Sequence, residues 1–139
     1  MLKKTITYKD FNDTERTEDF YFNLTKAEIT EMELGINGGL DNMLERVVAK
    51  HDAATIIKVF RDLILRAYGE KSLDGRKFEK SQALSEDFSH TPAYDILFME
   101  LVTDADKAAE FVKGIMPKDM QKDLKIKDSE LRLIEDKKE

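Results

Sequence analysis

The dipeptide Asp74-Gly75 constrains the fold of this chain more than any other sequence feature. Aspartate followed by glycine between short extended flanks is a strong β-hairpin signal, because glycine readily adopts the positive φ that such turns require. The chain around this turn has the apolar spacing of helices. The sequence therefore predicts a small, mainly helical α+β domain with a short β-hairpin in mid-chain.

A second β-hairpin is predicted at the N-terminus. Residues 3–8 and Asp19–Asn23 are rich in β-branched and aromatic side chains, which is typical of strands. The polar stretch from Lys9 to Thr17 connects them. We therefore expect two strands, joined by a long polar connection, ahead of the first helix.

Capping residues mark where the predicted helices begin. Thr25-Lys-Ala-Glu28 is a capping box, and Thr91-Pro92 places a capping residue before a proline at the first helical position. Apolar residues recur at helical spacing after these positions. The predicted helices run from Thr25 to Met32 or Leu34, from Leu40 to Lys50, from Ala53 to Tyr68, from Ser81 to Phe88, from Thr91 through Leu101, and from Asp104 to Met116.

The helix from Ala53 to Tyr68 is predicted to be the central and most buried one. Its apolar positions cover more than half of the helix circumference, which is the pattern of a helix that packs on several sides. Asp52 is its predicted N-cap, and Gly69 is predicted to follow its last turn as the C′ residue.

The composition changes at Lys118. Residues 118–139 contain seven basic and seven acidic side chains, so the whole net charge of −6 belongs to residues 1–117. An isolated helix of this length is marginal in water. We predict one globular helical domain at 1–117, followed by a charged C-terminal tail at 118–139 that is mobile or marginally helical.

Common active-site and metal-site patterns have no match in this chain. There is no cysteine, which excludes disulfides and thiolate chemistry. The two histidines, His51 and His90, lack the spacing of a metal pair. The acidic segment from Asp10 departs from a calcium loop, because Glu15 replaces the glycine at the sixth position and Tyr21 the glutamate at the twelfth. We predict no catalytic, cofactor or metal site.

Charge and hydropathy argue against two further classes of partner. The net charge of −6 and the isoelectric point near 5.1 argue against nucleic-acid binding, which usually needs a basic surface. No run of about 18 apolar residues could span a membrane. We therefore expect a cytoplasmic protein that binds neither nucleic acid nor membrane.

The six methionines are the side chains that most suggest a protein-binding surface. Methionine adapts to irregular apolar partners, although it also serves as core filler. Met99 is the strongest candidate, because it lies off the helix face formed by Tyr94, Leu97 and Leu101. The predicted partner-binding residues are Met99, Met116, Met120, Leu124, Leu131 and Ile134.

Several segments of the chain together form a specific set: Lys3–Tyr8, Arg16–Glu28, Met32–Leu34 with Gly38-Gly39, Ile57-Lys58 with Leu63-Ile64, Tyr68–Ser72, Asp74–Arg76, and Leu97–Leu101 with Asp104. As a set they resemble the tail assembly chaperones of long-tailed bacteriophages and prophages. The resemblance extends from Lys3 to about Pro117. It is weakest in the tail.

This resemblance implies a late, non-enzymatic function in the host cytoplasm. A protein of this family binds the tape-measure protein, keeps it soluble while the tail tube assembles, and is absent from the finished virion. The implied partners are the phage tape-measure protein and, as further candidates, the major tail protein and a frameshifted longer form of the same chain. Self-association also remains open.

Other functions fit the same residues. The chain could be a tail-completion or head-to-tail connector protein that is retained in the virion. A small regulator that binds a host protein is another possibility. An enzyme has the least support, because no catalytic pattern is present.

Overall fold

The computed structural model describes residues 1–35 and 53–117. The predicted helix at 40–50, Asp52 and the tail at 118–139 lie outside these residues. The elements described are β1 (Leu2–Lys9), β2 (Glu15–Phe22), α1 (Lys26–Gly35), α2 (Ala53–Ala67), β3 (Tyr68–Lys71), β4 (Phe78–Glu79), α3 (Gln82–Ser89), α4 (Pro92–Thr103) and α5 (Ala105–Ile115). The mainly helical α+β class with two hairpins is confirmed.

The two predicted hairpins belong to a single antiparallel sheet with the strand order β1-β2-β3-β4. The β1–β2 pairing is continuous from Leu2↔Phe22 to Lys9↔Glu15. The β2–β3 pairing is short and comprises Tyr21↔Gly69 and Phe22↔Tyr68. The sheet is therefore held together at its centre by the last two residues of β2.

The N-terminal hairpin is tighter than the sequence predicted, because β2 begins at Glu15 and not at Asp19. The Asp10 carboxylate organises the turn by accepting hydrogen bonds from the Asn12 N–H at 2.8 Å and the Thr14 N–H at 3.0 Å. It also pairs with Arg16 Nε at 2.6 Å. This pairing lowers the pKa of the Asp10 carboxyl below its usual value. The acidic segment is thus a hairpin turn stabilised by the Asp10 carboxylate.

The end of α2 also differs from the prediction. The helix ends at Ala67, and Tyr68 and Gly69 begin β3. Strand pairing replaces the predicted final helical residue. The Asn23 N–H donates to the Ala67 carbonyl at 2.8 Å, and the chain continues from there as a strand of the sheet. A Cβ at Gly69 would lie 2.7 Å from the Glu79 carbonyl oxygen. Glycine is required there by close strand approach and not by a helix end.

The N-capping predictions for Thr25, Ser81, Thr91 and Asp104 are confirmed, and that for Asp52 lies outside the described residues. In the capping box, the Glu28 N–H donates to Thr25 Oγ1 at 3.1 Å, and the Thr25 N–H donates to Glu28 Oε1 at 2.9 Å. Side-chain oxygens of Ser81, Thr91 and Asp104 accept backbone N–H groups at the starts of α3, α4 and α5. The starts of α1, α3, α4 and α5 are therefore set by local interactions that the sequence already indicates.

Aromatic side chains between the sheet and the helices form the centre of the core. Phe22 is fully buried and packs edge-on against Phe88 and Phe111, with ring centroids 5.7 Å and 5.4 Å away. Tyr68 stacks on Phe88 at 4.3 Å. Helix α2 adds buried side chains from one side, but its Ile57 is 44% exposed, so α2 is not enclosed all round.

Replacing Gly69 with alanine should destabilise the protein by about 2 kcal/mol, because the new methyl group overlaps the Glu79 backbone. Gly75→Asn is the matched control. Gly75 has φ of 76° with open space around it, and asparagine tolerates that conformation. Urea unfolding midpoints of both variants measure the difference, and equal losses would contradict the close-approach explanation.

Candidate functional site

The most exposed apolar surface on a described helix lies on α4. Ile96 is 40% exposed and Met99 is 49% exposed, and both share one side of the helix with the exposed residues Asp95 and Thr103. We call these four residues the α4 outer face. Residues three apart on a helix are surface neighbours, so Ile96 and Met99 form one apolar patch.

Helix α4 is held firmly by its opposite side. Ala93, Leu97 and Leu101 are buried in the core. A salt bridge of 3.0 Å from Lys4 Nζ to Glu100 Oε1 ties the helix to β1. Because the inner side is fixed in this way, the α4 outer face has a set orientation toward solvent.

Two half-buried aromatic residues lie beside this face. Tyr94 and Phe98 stack with their ring centroids 5.9 Å apart. Burial raises the pKa of the Tyr94 hydroxyl, and the charges of Arg61 and Asp62 on α2 act on it in opposite directions. Charged residues of α2 therefore lie near Tyr94.

The structure separates the sequence-predicted binding residues. Met99 lies on the α4 outer face, whereas Met116 is 4% exposed and belongs to the core. Met120, Leu124, Leu131 and Ile134 lie outside the described residues. A partner-binding role for these residues remains a prediction, and Met116 offers almost no accessible surface for one.

Sequence reasoning missed Ile96. The sequence does indicate its exposure. Ile96 lies three residues before Met99 and, like Met99, is not on the helix face of Leu97 and Leu101. A search for exposed methionines alone does not identify this isoleucine as a binding residue. The exposure of Ile57 was not predicted either, because apolar residues around most of the α2 circumference suggested that this helix is buried on every side.

A polar cavity of about 350 Å³ lies between α1, the end of α2 and the start of α3. Its central contact is a salt bridge of 2.6 Å between Lys80 Nζ and Glu28 Oε2, and Lys80 also donates to the Asn23 carbonyl. Burial alone would raise the pKa of Glu28, but hydrogen bonds from Lys80 and Thr25 outweigh it, and the net pKa is lowered. These charges hold the β2–α1 connection against the segment after β4.

The described residues contain neither a metal-binding cluster nor a membrane-spanning helix. Within 1–35 and 53–117, no group of three or more histidine, aspartate or glutamate side chains could hold a metal ion. His90 is exposed at the C-cap of α3, and His51 lies outside the described ranges. None of the helices described there has the length and apolar character needed to cross a membrane.

Comparison with known proteins adds a family match. A sequence model of the family described as phage tail assembly chaperone matches residues 1–138. No curated protein and no solved structure matches the chain. The family match covers both hairpins and every helix described above, and it continues into the tail.

Glu28→Gln should cost about 1 kcal/mol of stability at neutral pH, because it removes a half-buried ion pair, whereas the glutamine amide oxygen can still accept the Thr25 N–H. The pKa of Glu28 is lower in the folded state, so its contribution is complete above the ordinary value of 4.5 and is lost as the pH falls through the folded-state pKa. The stability difference from wild type should therefore shrink in acid. The exposed Glu31→Gln is the matched control, and chemical unfolding across this pH range is the measurement. A difference that stays constant with pH would contradict the ion-pair explanation.

Proposed function

Because the chain belongs to the phage tail assembly chaperone family, we propose that it binds the tape-measure protein and keeps that protein soluble while the tail tube assembles. The observation that best supports this function is the α4 outer face. It presents Ile96 and Met99 to solvent on a helix whose other side is locked into the core. An exposed apolar patch on a fixed helix suits a partner that is itself apolar.

The partner surface that suits this face is an amphipathic helix. Ile96 and Met99 form a short ridge, and such ridges pack into the grooves of a neighbouring helix. The flexible side chain of Met99 can follow partners of different sequence. A long helical protein would therefore offer many similar binding segments to one chaperone surface.

The small size of the apolar patch suits a chaperone that must later release its client. Two exposed apolar side chains contribute limited burial, so each contact is weak and reversible. Covering apolar segments of a client in this way prevents them from associating with one another. Tail-tube subunits could then displace the chaperone as they polymerise.

We extend this proposal to the remaining predictions of partner and location. Residues 1–117 would form the globular domain, and Met120, Leu124, Leu131 and Ile134 of the tail would add contacts to the client. The protein would act without catalysis in the host cytoplasm and be absent from the virion. The major tail protein and a frameshifted longer form of the chain are further proposed partners.

Met99→Asp combined with Ile96→Asp should weaken binding to the tape-measure protein about ten-fold, because two charges would be buried against an apolar partner. Co-expression of the two proteins, followed by measurement of the soluble and co-purifying tape-measure protein, tests this. Leu73→Asp is the matched control, since Leu73 is a fully exposed apolar residue in the β3–β4 turn, away from α4.

A tape-measure yield that does not depend on the chaperone would contradict the proposed function itself. Loss of yield with Leu73→Asp but not with the α4 variant would place the binding surface elsewhere. Recovery of the chain in purified virions would favour the tail-completion or head-to-tail connector function.

A further inference from the structure

Strand β2 has an open side along most of its length. Its pairing with β3 comprises only Tyr21↔Gly69 and Phe22↔Tyr68. Beyond Gly69, strand β3 turns to pair with β4. Residues 15–20 of β2 therefore have β1 on one side and no strand on the other among the described residues.

The hydrogen-bond pattern identifies which backbone groups face that open side. The Asn23 N–H donates to the Ala67 carbonyl at 2.8 Å, in the same register as Tyr21↔Gly69. Since the direction of backbone groups alternates along a strand, the odd-numbered residues of β2 point toward β3.

The β1 side of the hairpin gives the same result independently. The Asp10 N–H donates to the Thr14 carbonyl at 2.9 Å, which continues the β1–β2 register and assigns the even-numbered residues to β1. The N–H and C=O groups of Glu15, Thr17 and Asp19 therefore point away from β1, where β3 no longer accompanies β2. We call these three residues the β2 open edge.

A gap separates the two strands at this point. It has a volume of about 430 Å³ and is lined by two runs of successive residues, 18–21 of β2 and 68–71 of β3. Successive residues alternate between the faces of a sheet, so a cavity lined by both runs lies between the strands and not on one face. The gap is the place where one end of an added strand would enter.

The gap is negatively charged. Glu18, Asp19 and Glu70 line it, against a single cation, Lys71. The Lys71 ammonium lies 4.4 Å above the ring of Tyr21 and is already engaged there. Burial raises the pKa of Tyr68 at the back of the gap, and the nearby Glu70, Glu18 and Asp87 raise it further.

The outer edge of β1 differs from the β2 open edge in charge. Lys3 and Lys9 lie on that edge strand, and lysine on an edge strand discourages the addition of another strand. Of the described cations next to the β2 open edge, Arg16 is paired with Asp10, and Lys71 lies over the Tyr21 ring. Within residues 1–35 and 53–117, lysines therefore protect the outer edge of β1, whereas the β2 open edge is acidic and has no strand beside it.

We propose that the β2 open edge binds an extended, basic segment of another protein, which adds to the sheet as a further strand. Backbone groups of Glu15, Thr17 and Asp19 would hold the segment. A pair of adjacent Lys or Arg residues at its end would place one cation opposite Asp19 and one opposite Glu18, on the two faces of the sheet.

The occupant is another protein for two reasons. Among the described strands the basic one is β1, which is already paired with β2 and whose Lys4 is held by Glu100. A net charge of −6 also opposes close contact between copies. This surface is separate from the α4 outer face, and the proposal does not depend on the proposed chaperone function.

The test uses the full chain and a capped peptide with two adjacent lysines followed by alternating threonine and valine. Amide hydrogen exchange is measured by NMR with and without the peptide. Exchange at Glu15, Thr17 and Asp19 should slow about ten-fold, because each free N–H gains an acceptor. Arg16 and Glu18 already pair with β1 and should not change. A peptide with glutamates in place of the lysines should give no protection.

Two proline variants form a matched pair. Thr17→Pro removes an N–H of the β2 open edge, and Thr7→Pro removes one on the outer edge of β1; both lose the same hydroxyl contact of 2.9 Å between Thr7 and Thr17. Proline is tolerated where a strand N–H faces outward. Thr17→Pro should weaken peptide binding about ten-fold, and Thr7→Pro should leave it unchanged.

If Thr17→Pro does not fold, Asp19→Asn replaces it, since asparagine keeps an acceptor for the Thr5 hydroxyl while removing the charge. Asp19→Asn should weaken binding of the lysine peptide several-fold. Absence of protection at the odd-numbered amides, or equal loss with Thr7→Pro, would overturn the proposal. So would a change in the solution mass of the free chain on Thr17→Pro, because the occupant would then be a second copy.

Discussion

The fold depends on a junction of three successive residues, Phe22–Leu24, where the sheet meets two helices. Phe22 is fully buried against rings from β3, α3 and α5. The Asn23 N–H donates to the carbonyl of the last residue of α2, and the Leu24 N–H donates to the carbonyl of the last residue of α5, both at 2.8 Å. These two bonds occupy carbonyls that a helix end otherwise leaves unpaired. One short segment thus ends the long strand, satisfies two helix ends and closes the core.

Features that depend on neighbours in the chain could be predicted from the sequence. The capping box at Thr25 and Glu28, the caps of α3 to α5, and the Asp74-Gly75 turn each rest on contacts within a few residues. Features that depend on residues distant in the chain could not be predicted from the sequence. The first half of β2 shows no alternation of apolar residues that would predict a strand, and its strand conformation comes from pairing with β1 and from the Asp10 turn. Gly69 likewise has the sequence context of a helix end, whereas the close packing of strands is what requires glycine there.

The candidate surfaces follow the same division. The exposure of Met99 could be predicted because it needs only the helix repeat and the apolar positions of α4. Burial of Met116 could not, because it depends on where α5 ends against the sheet. The β2 open edge arises from the divergence of β2 and β3, which are far apart in sequence. Its acidic residues look like ordinary surface charge until the register is known.

The junction at Phe22–Leu24 has a consequence for synthesis on the ribosome. The β1–β2 hairpin is translated first, and its pairing is local, so it can form early. Its apolar side, however, is completed by residues of α5, including the carbonyl that receives the Leu24 N–H. Until α5 has left the exit tunnel, the nascent chain carries uncovered aromatic residues and is itself prone to aggregate. A chain of this design passes through the vulnerable state of a chaperone's client before its own fold is complete.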